Sequence, residues 1–148
     1  GEFEGDLRDL AHGMSNVQFL GRKQPSELAQ LYRDAIALLV PAMVYETFGF
    51  ITLEALGQRT PVIARELGAV AEVVRDTGGG ITYQTEDELL EAMHLLQSDR
   101  SLRDRLASTG YDSYVSRYSE SQHIESYLDA LMTAAAAQRP ANWQLGRG

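Results

Sequence analysis

The apolar run Ile36-Ala-Leu-Leu-Val40 constrains the fold of this chain more than any other feature. A continuous apolar run of this length is typical of a strand at the centre of a parallel sheet, because both of its faces must be covered. Pro41 then ends the strand. Similar runs at residues 61–64 and 81–83 alternate with helical patterns. The sequence therefore predicts an α/β domain with a parallel sheet and flanking helices.

Local start signals and apolar spacing define the remaining elements. Pro25 suits the first turn of a helix, where its missing amide costs nothing, and Thr85 with Glu88 forms a capping box. The predicted elements are a strand at 16–20 and helices at 6–11, 25–34, 49–58, 70–74, from 85 onwards, at 100–115 and at 119–138. The helix from 85 has an apolar stripe of Leu89, Leu90, Met93 and Leu96. The apolar face of the last helix consists of Ile124, Tyr127, Leu128 and Leu131. A mobile tail is expected at 139–148.

The composition excludes several classes of protein. A length of 148 residues indicates one domain with a real core, and a net charge of −8 argues against a nucleic-acid partner. Cysteine is absent, which excludes disulfides and fits a cytoplasmic protein. No apolar run approaches the length of a membrane span, and no polybasic face indicates a membrane patch.

The segment Glu46-Thr-Phe-Gly-Phe-Ile-Thr-Leu-Glu54 follows the central strand and has the residues for ligand chemistry. A helix is expected to begin near Gly49, and the free amides of its first turn attract phosphate or carboxylate. Ionised glutamates accept hydrogen bonds from sugar or ribose hydroxyls. The segment predicts a site for a ligand with a phosphate and several hydroxyls. If only the spacing is considered, a solvated helix with two functionally unrelated glutamates explains the same sequence pattern.

The wider context resembles the C-terminal domain of retaining nucleotide-sugar glycosyltransferases with the GT-B fold, of the group 1 type. Those enzymes have two glutamates separated by seven residues, as Glu46 and Glu54 are. The likeness covers residues 1–118 and includes, in family order, Asn16-Val-Gln-Phe-Leu-Gly21, Glu27-Leu-Ala-Gln-Leu-Tyr-Arg-Asp-Ala35, Thr60-Pro-Val-Ile-Ala64 and Glu72-Val-Val74. The resemblance implies a Rossmann-like parallel sheet that lacks the first strands of the domain.

The resemblance also implies roles for individual residues. Glu46 would hydrogen-bond hydroxyls of the donor sugar and act as the catalytic residue, and Glu54 would accept hydrogen bonds from the ribose. Arg22 would lie against the nucleotide base, although a solvated basic pair, Arg22 with Lys23, is an equal alternative. The backbone amides that would line the sugar and phosphate are those of Phe48, Gly49, Phe50 and Ile51.

The activity that the resemblance implies is sugar transfer from a nucleotide-diphosphate sugar, with retention at the anomeric carbon and without a metal or cofactor. The sequence contains no Asp-any-Asp triplet, and His12, His94 and His123 share no metal-ligand spacing. Two other functions stay open. One is a sugar-nucleotide epimerase or phosphorylase half of the same architecture, and the other is a non-catalytic α/β interaction module.

The resemblance further implies that the chain begins inside its domain. The first two strands, the basic pair that steadies the diphosphate and the N-terminal acceptor domain would all lie upstream of Gly1, so we expect the isolated chain to be inactive. Peripheral attachment at the inner membrane, through that domain, is a second option for location. Without the first strands, residues 36–40 would form an open edge. Either residues 17–20 move in beside them or, as we favour, a homodimer forms through the exposed edge.

The last helix would also lose a packing surface if the N-terminal domain is absent. We expect its first half to pack on its own domain and its end, at residues 134–137, to fray. Its apolar residues must otherwise stay exposed.

Overall fold

The computed structural model of the chain describes residues 3–45 and 48–137. Its elements, in chain order, are α1 (Glu4–Leu10), α2 (Pro25–Asp34), β1 (Leu38–Val40), α3 (Phe50–Gly57), β2 (Val62–Arg65), α4 (Gly68–Thr77), β3 (Gly80–Tyr83), α5 (Glu86–Ser98), α6 (Arg100–Ser113), a π-helical turn (Tyr114–Tyr118) and α7 (Glu120–Ala137). Within these ranges, no helix combines the length and apolar character needed to cross a membrane.

The sheet has three parallel strands in the order β1-β2-β3. Leu39 pairs in register with Ile63, and Ile63 pairs with Ile81. This arrangement confirms the predicted α/β class with flanking helices. The strand predicted to lie at the centre of the sheet, β1, lies instead at the edge of the sheet in the described residues. It is also shorter than its apolar run, since β1 begins at Leu38 and Ile36 stays exposed.

Helices cover the two faces of the sheet unequally. On one face, α2, α3 and α4 build the larger core, which contains Tyr32, Val40, Leu53, Leu56, Val62, Ala64, Val70 and Val74. On the other face, α5 and α6 cover Ile63 and Tyr83 through Ala92, Leu96, Leu102 and Leu106. The part of that second face that belongs to β1 has less cover, so Leu39 is partly exposed.

The approach of α6 to the sheet depends on two glycines. A Cβ atom on Gly79 would lie 2.7 Å from the Cα atom of Gly110 and would overlap the side chain of Leu56. Because glycine has no Cβ, α6 can pack directly on the turn between α4 and β3. This contact places the end of α6, and the π-helical turn that follows it, against α3.

The predicted strand at residues 16–20 is wrong. The structure has no strand there, and Val17, Phe19 and Leu20 are exposed. A strand needs a hydrogen-bonded neighbour, and in the described residues the sheet ends at β1. Residues 17–20 therefore do not move in beside β1, and the outer edge of β1 is open.

The predicted apolar stripe of the helix that begins after Thr85 also needs correction. On α5, Leu90 and Met93 are exposed and Ala92 is buried, because the helix turns Leu89, Ala92 and Leu96 toward the sheet. The apolar spacing alone did not fix that rotation.

The predicted last helix is present as α7, but its first half does not pack on the domain as expected. Ile124, Tyr127 and Leu128 stay about half exposed, as does Leu131. The reason is that the contacts of α7 with the rest of the described chain are mainly with the π-helical turn. The predicted mobile tail lies outside the described residues.

Candidate functional site

The candidate site lies at the carboxyl edge of the sheet, where β1 and β2 end. From β1 the chain enters a loop, described at residues 41–45 and 48–49, and then α3. From β2 it passes through Glu66 and Leu67 into α4. Ligands of open α/β sheets bind at this edge, because strand ends, loops and helix starts meet there. The predicted site residues near Gly49 follow β1 directly.

Gly49 is the residue from which α3 begins, and it brings the starts of two helices together. Its φ of 71° and ψ of 44° lie in the left-handed region, which favours glycine. A Cβ atom here would lie 3.1 Å from Cγ2 and 3.3 Å from Cα of Val70, in the first turn of α4. The positive ends of both helix dipoles are therefore adjacent, which favours an anion beside them.

Aromatic rings flank Gly49 on both sides. The ring centroids of Phe48 and Phe50 are 4.7 Å apart. The two residues are 43% and 69% exposed, respectively. They form one wall of an open cavity of about 440 Å³ whose lining is Phe48, Phe50, Leu53, Glu54, Tyr114, Arg117 and Tyr118. Three residues predicted from the sequence, Phe48, Phe50 and Glu54, thus meet in one cavity.

Glu54 is held by a tyrosine from a different helix. The hydroxyl of Tyr32, on α2, donates to Oε2 of Glu54 at 3.3 Å. Burial raises the pKa of the Tyr32 phenol, and the charge of Glu54 and the hydrogen bond to it raise this pKa further. The phenol therefore stays protonated at neutral pH and serves as a donor.

The backbone around Tyr32 is also fixed. The carbonyl of Tyr32 accepts a hydrogen bond of 2.6 Å from the buried Thr60 hydroxyl. A second cavity, of about 250 Å³ between α2 and α3, includes Tyr32 and Glu54 in its lining. Glu54 thus stands between two cavities, with one oxygen directed to the phenol and the carboxylate accessible.

Two other predicted residues, Ile51 and Arg22, do not join this cluster. Ile51 lies in the first turn of α3 but lines neither cavity. Arg22 is exposed and lines neither cavity, while its neighbour Lys23 pairs with Glu27 at 3.3 Å. Glu46, the predicted catalytic residue, lies outside the described residues.

Sequence reasoning missed Tyr32 and Arg117 as residues near the site. In the sequence, Tyr32 follows the apolar spacing of Leu28 and Leu31, which predicts only a buried position on the helix at 25–34. Its hydroxyl is the signal that would have marked it, because a phenol at the rim of a core needs a partner. Arg117 lies in the π-helical turn, and its guanidinium donates to the carbonyl of Asp76. In the part of the chain that the structure describes, no three His, Cys, Asp or Glu side chains come close enough to hold a metal ion.

The fold and the site define a Rossmann-like α/β domain with its ligand edge beside β1. The family model of the glycosyl transferases group 1 matches residues 5–113. The chain therefore belongs to the glycosyl transferases group 1 family.

Curated relatives share the family over most of the chain. The D-inositol 3-phosphate glycosyltransferase of Salinispora arenicola is 32% identical over 132 residues, which covers 88% of this chain and 29% of the relative. The phosphatidyl-myo-inositol mannosyltransferase of Mycobacterium leprae is 32% identical over 137 residues, or 90% of this chain and 36% of the relative. The chain spans about a third of the length of these relatives.

Solved structures support the same fold. The sucrose-phosphate synthase from Thermosynechococcus elongatus superposes with a TM-score of 0.77 at 23% identity, over 91% of this chain and 34% of that one. The C-terminal domain of a glycosyl transferase group 1 family protein from Francisella tularensis gives a TM-score of 0.65 at 24% identity, over 80% of this chain and 64% of that domain. At these identities the likeness concerns the fold.

Proposed function

We propose that this chain is the donor-binding part of a glycosyltransferase that transfers a sugar from a nucleotide-diphosphate sugar, with retention at the anomeric carbon and without a metal. The single observation that carries the proposal is the position of Glu54, which accepts a hydrogen bond from Tyr32 and lines one cavity with Phe48 and Phe50 at the start of α3. A carboxylate can accept hydrogen bonds from the hydroxyls of a sugar nucleotide, and two helix starts favour its diphosphate. Membership of the family supports the same conclusion.

The diphosphate would bind at the start of α3. The amides of Phe48, Gly49, Phe50 and Ile51 would face it, as expected for a helix start next to a phosphate. Each helix start contributes about 0.3 to 1 kcal/mol toward an anion. The stabilisation from two helix starts is far below the roughly 8 kcal/mol or more by which an enzyme lowers its activation barrier. The rest of the parent protein must therefore provide further stabilisation.

The ribose would bind beside Glu54. Its hydroxyls would donate to the carboxylate, and the phenol of Tyr32 would hold the carboxylate in one orientation. The Phe48 and Phe50 rings on the cavity wall would limit where the ligand can lie. Arg22 keeps its proposed place against the base, on the basis of the family resemblance.

Glu46 would bind the hydroxyls of the donor sugar and position its anomeric carbon. In this scheme the chain contributes to catalysis by positioning and by charge stabilisation of the leaving diphosphate. The acceptor would bind to a further domain of the parent, facing this edge of the sheet. A cytoplasmic location stays a prediction.

The test is product analysis with the full-length parent. We expect it to transfer sugar from one member of a panel of uridine, guanosine and adenosine diphosphate sugars, in the presence of EDTA. Proton NMR of the product should show the anomeric configuration of the donor. An inverted product would contradict retention, and loss of activity with EDTA would contradict a metal-free reaction.

The same panel separates the alternative functions. An epimerase would convert the nucleotide sugar without an acceptor, and a phosphorylase would require inorganic phosphate. A non-catalytic module would bind no nucleotide sugar at all. Each of these results would replace the proposal with the corresponding function.

We also propose that the isolated chain forms a homodimer through the outer edge of β1. Within the described residues β1 pairs only with β2, and an apolar groove of about 200 Å³ beside it includes Ile36, Leu39 and Met93. Open apolar edges recruit strands, and an antiparallel contact between two β1 strands satisfies both copies. Light scattering should give a dimer for the chain and a monomer for Leu39→Lys. A monomeric wild-type chain would contradict this.

A further inference from the structure

Arg65 places a guanidinium group at the carboxyl edge of the sheet. It is the last residue of β2 and is half buried. Its Nη1 donates to the Sδ atom of Met43, which lies in the loop that leads from β1 to the site. The side chain therefore reaches from the end of β2 to the loop that precedes α3.

The loop and the start of α4 place Arg65 at the same edge as the converging helices. Tyr45 packs on Gly68, since a Cβ atom there would lie 2.9 Å from Cδ1 of its ring. Gly49 packs on Val70, two residues further along α4. The loop thus lies over the connection from β2 to α4, with Arg65 at one end of that connection and the helix starts at the other.

The charges around Arg65 leave its guanidinium without an acidic partner. Its neighbour Glu66 forms an ion pair with Arg75 on α4. Among the residues that the structure describes, no carboxylate forms an ion pair with Arg65. A guanidinium has five N–H donors, and a thioether is a weak acceptor. Within the described ranges, this cation therefore has no carboxylate partner, although the chain has a net charge of −8.

We infer that Arg65 is a substrate-binding residue whose guanidinium binds an anionic oxygen of the donor, either on the diphosphate or on a carboxylate of the sugar. The inference rests on the proposed function. Planar, charged N–H groups bind such oxygens strongly, and a ligand oxygen is a better acceptor than the Met43 sulfur that it would replace. Arg65 thereby adds the full positive charge that the two helix starts lack.

The test compares variants of the full-length parent by calorimetric titration. The probes are uridine, guanosine and adenosine diphosphate, followed by the glucose and glucuronate conjugates of the nucleotide that binds best. Arg65→Gln should weaken binding by about 10- to 100-fold, the range for a hydrogen bond to a charged group. Arg65→Lys should recover part of the loss, and the remaining affinity of Arg65→Gln should depend less on salt.

Two matched controls address charge and packing. Arg75→Gln removes the same charge a short distance away, and Met43→Leu removes the thioether but keeps the guanidinium. Both should change affinity by less than about 3-fold. Melting temperatures of all variants identify any loss of folding, which Arg65→Lys and Met43→Leu should not cause.

The two sources of the anion give different patterns. If Arg65 binds the diphosphate, Arg65→Gln weakens the binding of the free nucleoside diphosphate. If Arg65 binds a sugar carboxylate, Arg65→Gln weakens the binding of the glucuronate conjugate only. A folded Arg65→Gln parent that binds every probe like the wild type would overturn the inference and leave the proposed function intact. A wild-type parent that binds no probe would contradict both.

Discussion

Residues 50–118 are no richer in apolar residues than residues 3–45, but they pack very differently. In residues 50–118, β2 lies between two partner strands and has helices on both faces, and Val62, Ile63 and Ala64 are buried. In residues 3–45, β1 has an open edge within the described chain, and the exposed apolar residues include Leu7, Leu10, Val17, Phe19 and Leu20. The candidate site lies where the two regions meet, with Glu54 from residues 50–118 and Tyr32 from residues 3–45.

The difference shows what an apolar pattern can and cannot specify. A helix satisfies its own backbone, so α1 forms although none of its residues is buried. A strand depends on a neighbour, so residues 17–20 form no strand. We expect the stability of the chain to come from residues 50–118, and mutations can test this directly.

The largest effect is expected for truncation of a buried leucine in α3. Leu56 is fully buried at 0% exposure, whereas Leu10 in α1 is 73% exposed. Leu56→Ala should lower the free energy of unfolding of the chain by about 2 to 5 kcal/mol, because it leaves a cavity. Leu10→Ala should change it by less than about 0.5 kcal/mol. Urea unfolding measures both, and similar losses would refute the contrast between the regions.

A smaller effect, with opposite signs in the two regions, is expected for glycine-to-alanine changes. Gly79→Ala should destabilise the chain by about 1 to 3 kcal/mol, because its Cβ would collide with the Gly110 backbone and Leu56. Gly5 lies in α1 with nothing within 4 Å of its Cβ position, so Gly5→Ala should stabilise by up to about 1 kcal/mol. Thermal unfolding gives the sign of each change. A neutral Gly79→Ala would mean that α6 packs less closely.

The smallest effect concerns pH and the start of α2. The backbone N–H of Gln24, and secondly Lys23, lower the pKa of Glu27 below its ordinary 4.5. A lowered folded pKa means that the stabilisation is present above the unfolded pKa and is lost as pH falls through the folded one. The difference in stability between wild type and Glu27→Gln should therefore be constant from pH 7 to 5 and shrink below 4.5. Growth of this difference in acid would be the contrary result.

Much of the fold follows from the sequence because several signals are local. The capping box of Thr85 and Glu88 depends on residues three apart, and the structure has it, with the Thr85 side chain accepting from the Glu88 amide. Pro25 begins α2 as expected, and α3 begins directly after Gly49.

The features that the sequence could not give depend on distant contacts. Tyr32 and Glu54 are 22 residues apart and meet only because α2 packs on α3. The face of α5 that becomes buried depends on its rotation against β3, which places Ala92 inward and Met93 outward. No local signal in the sequence singles out Arg65, and its contact with Met43 arises only because the loop after β1 lies beside the end of β2.

The most direct test of the account measures the affinity of the full-length parent for its free nucleoside diphosphate, with Glu54→Gln and Glu46→Gln as a matched pair. Glu54 is proposed to hold the ribose, so Glu54→Gln should weaken binding by about 1 to 3 kcal/mol. Glu46 is proposed to contact only the sugar, so Glu46→Gln should leave this affinity nearly unchanged and lower turnover instead. Equal effects of both substitutions on affinity for the free nucleotide would contradict the account.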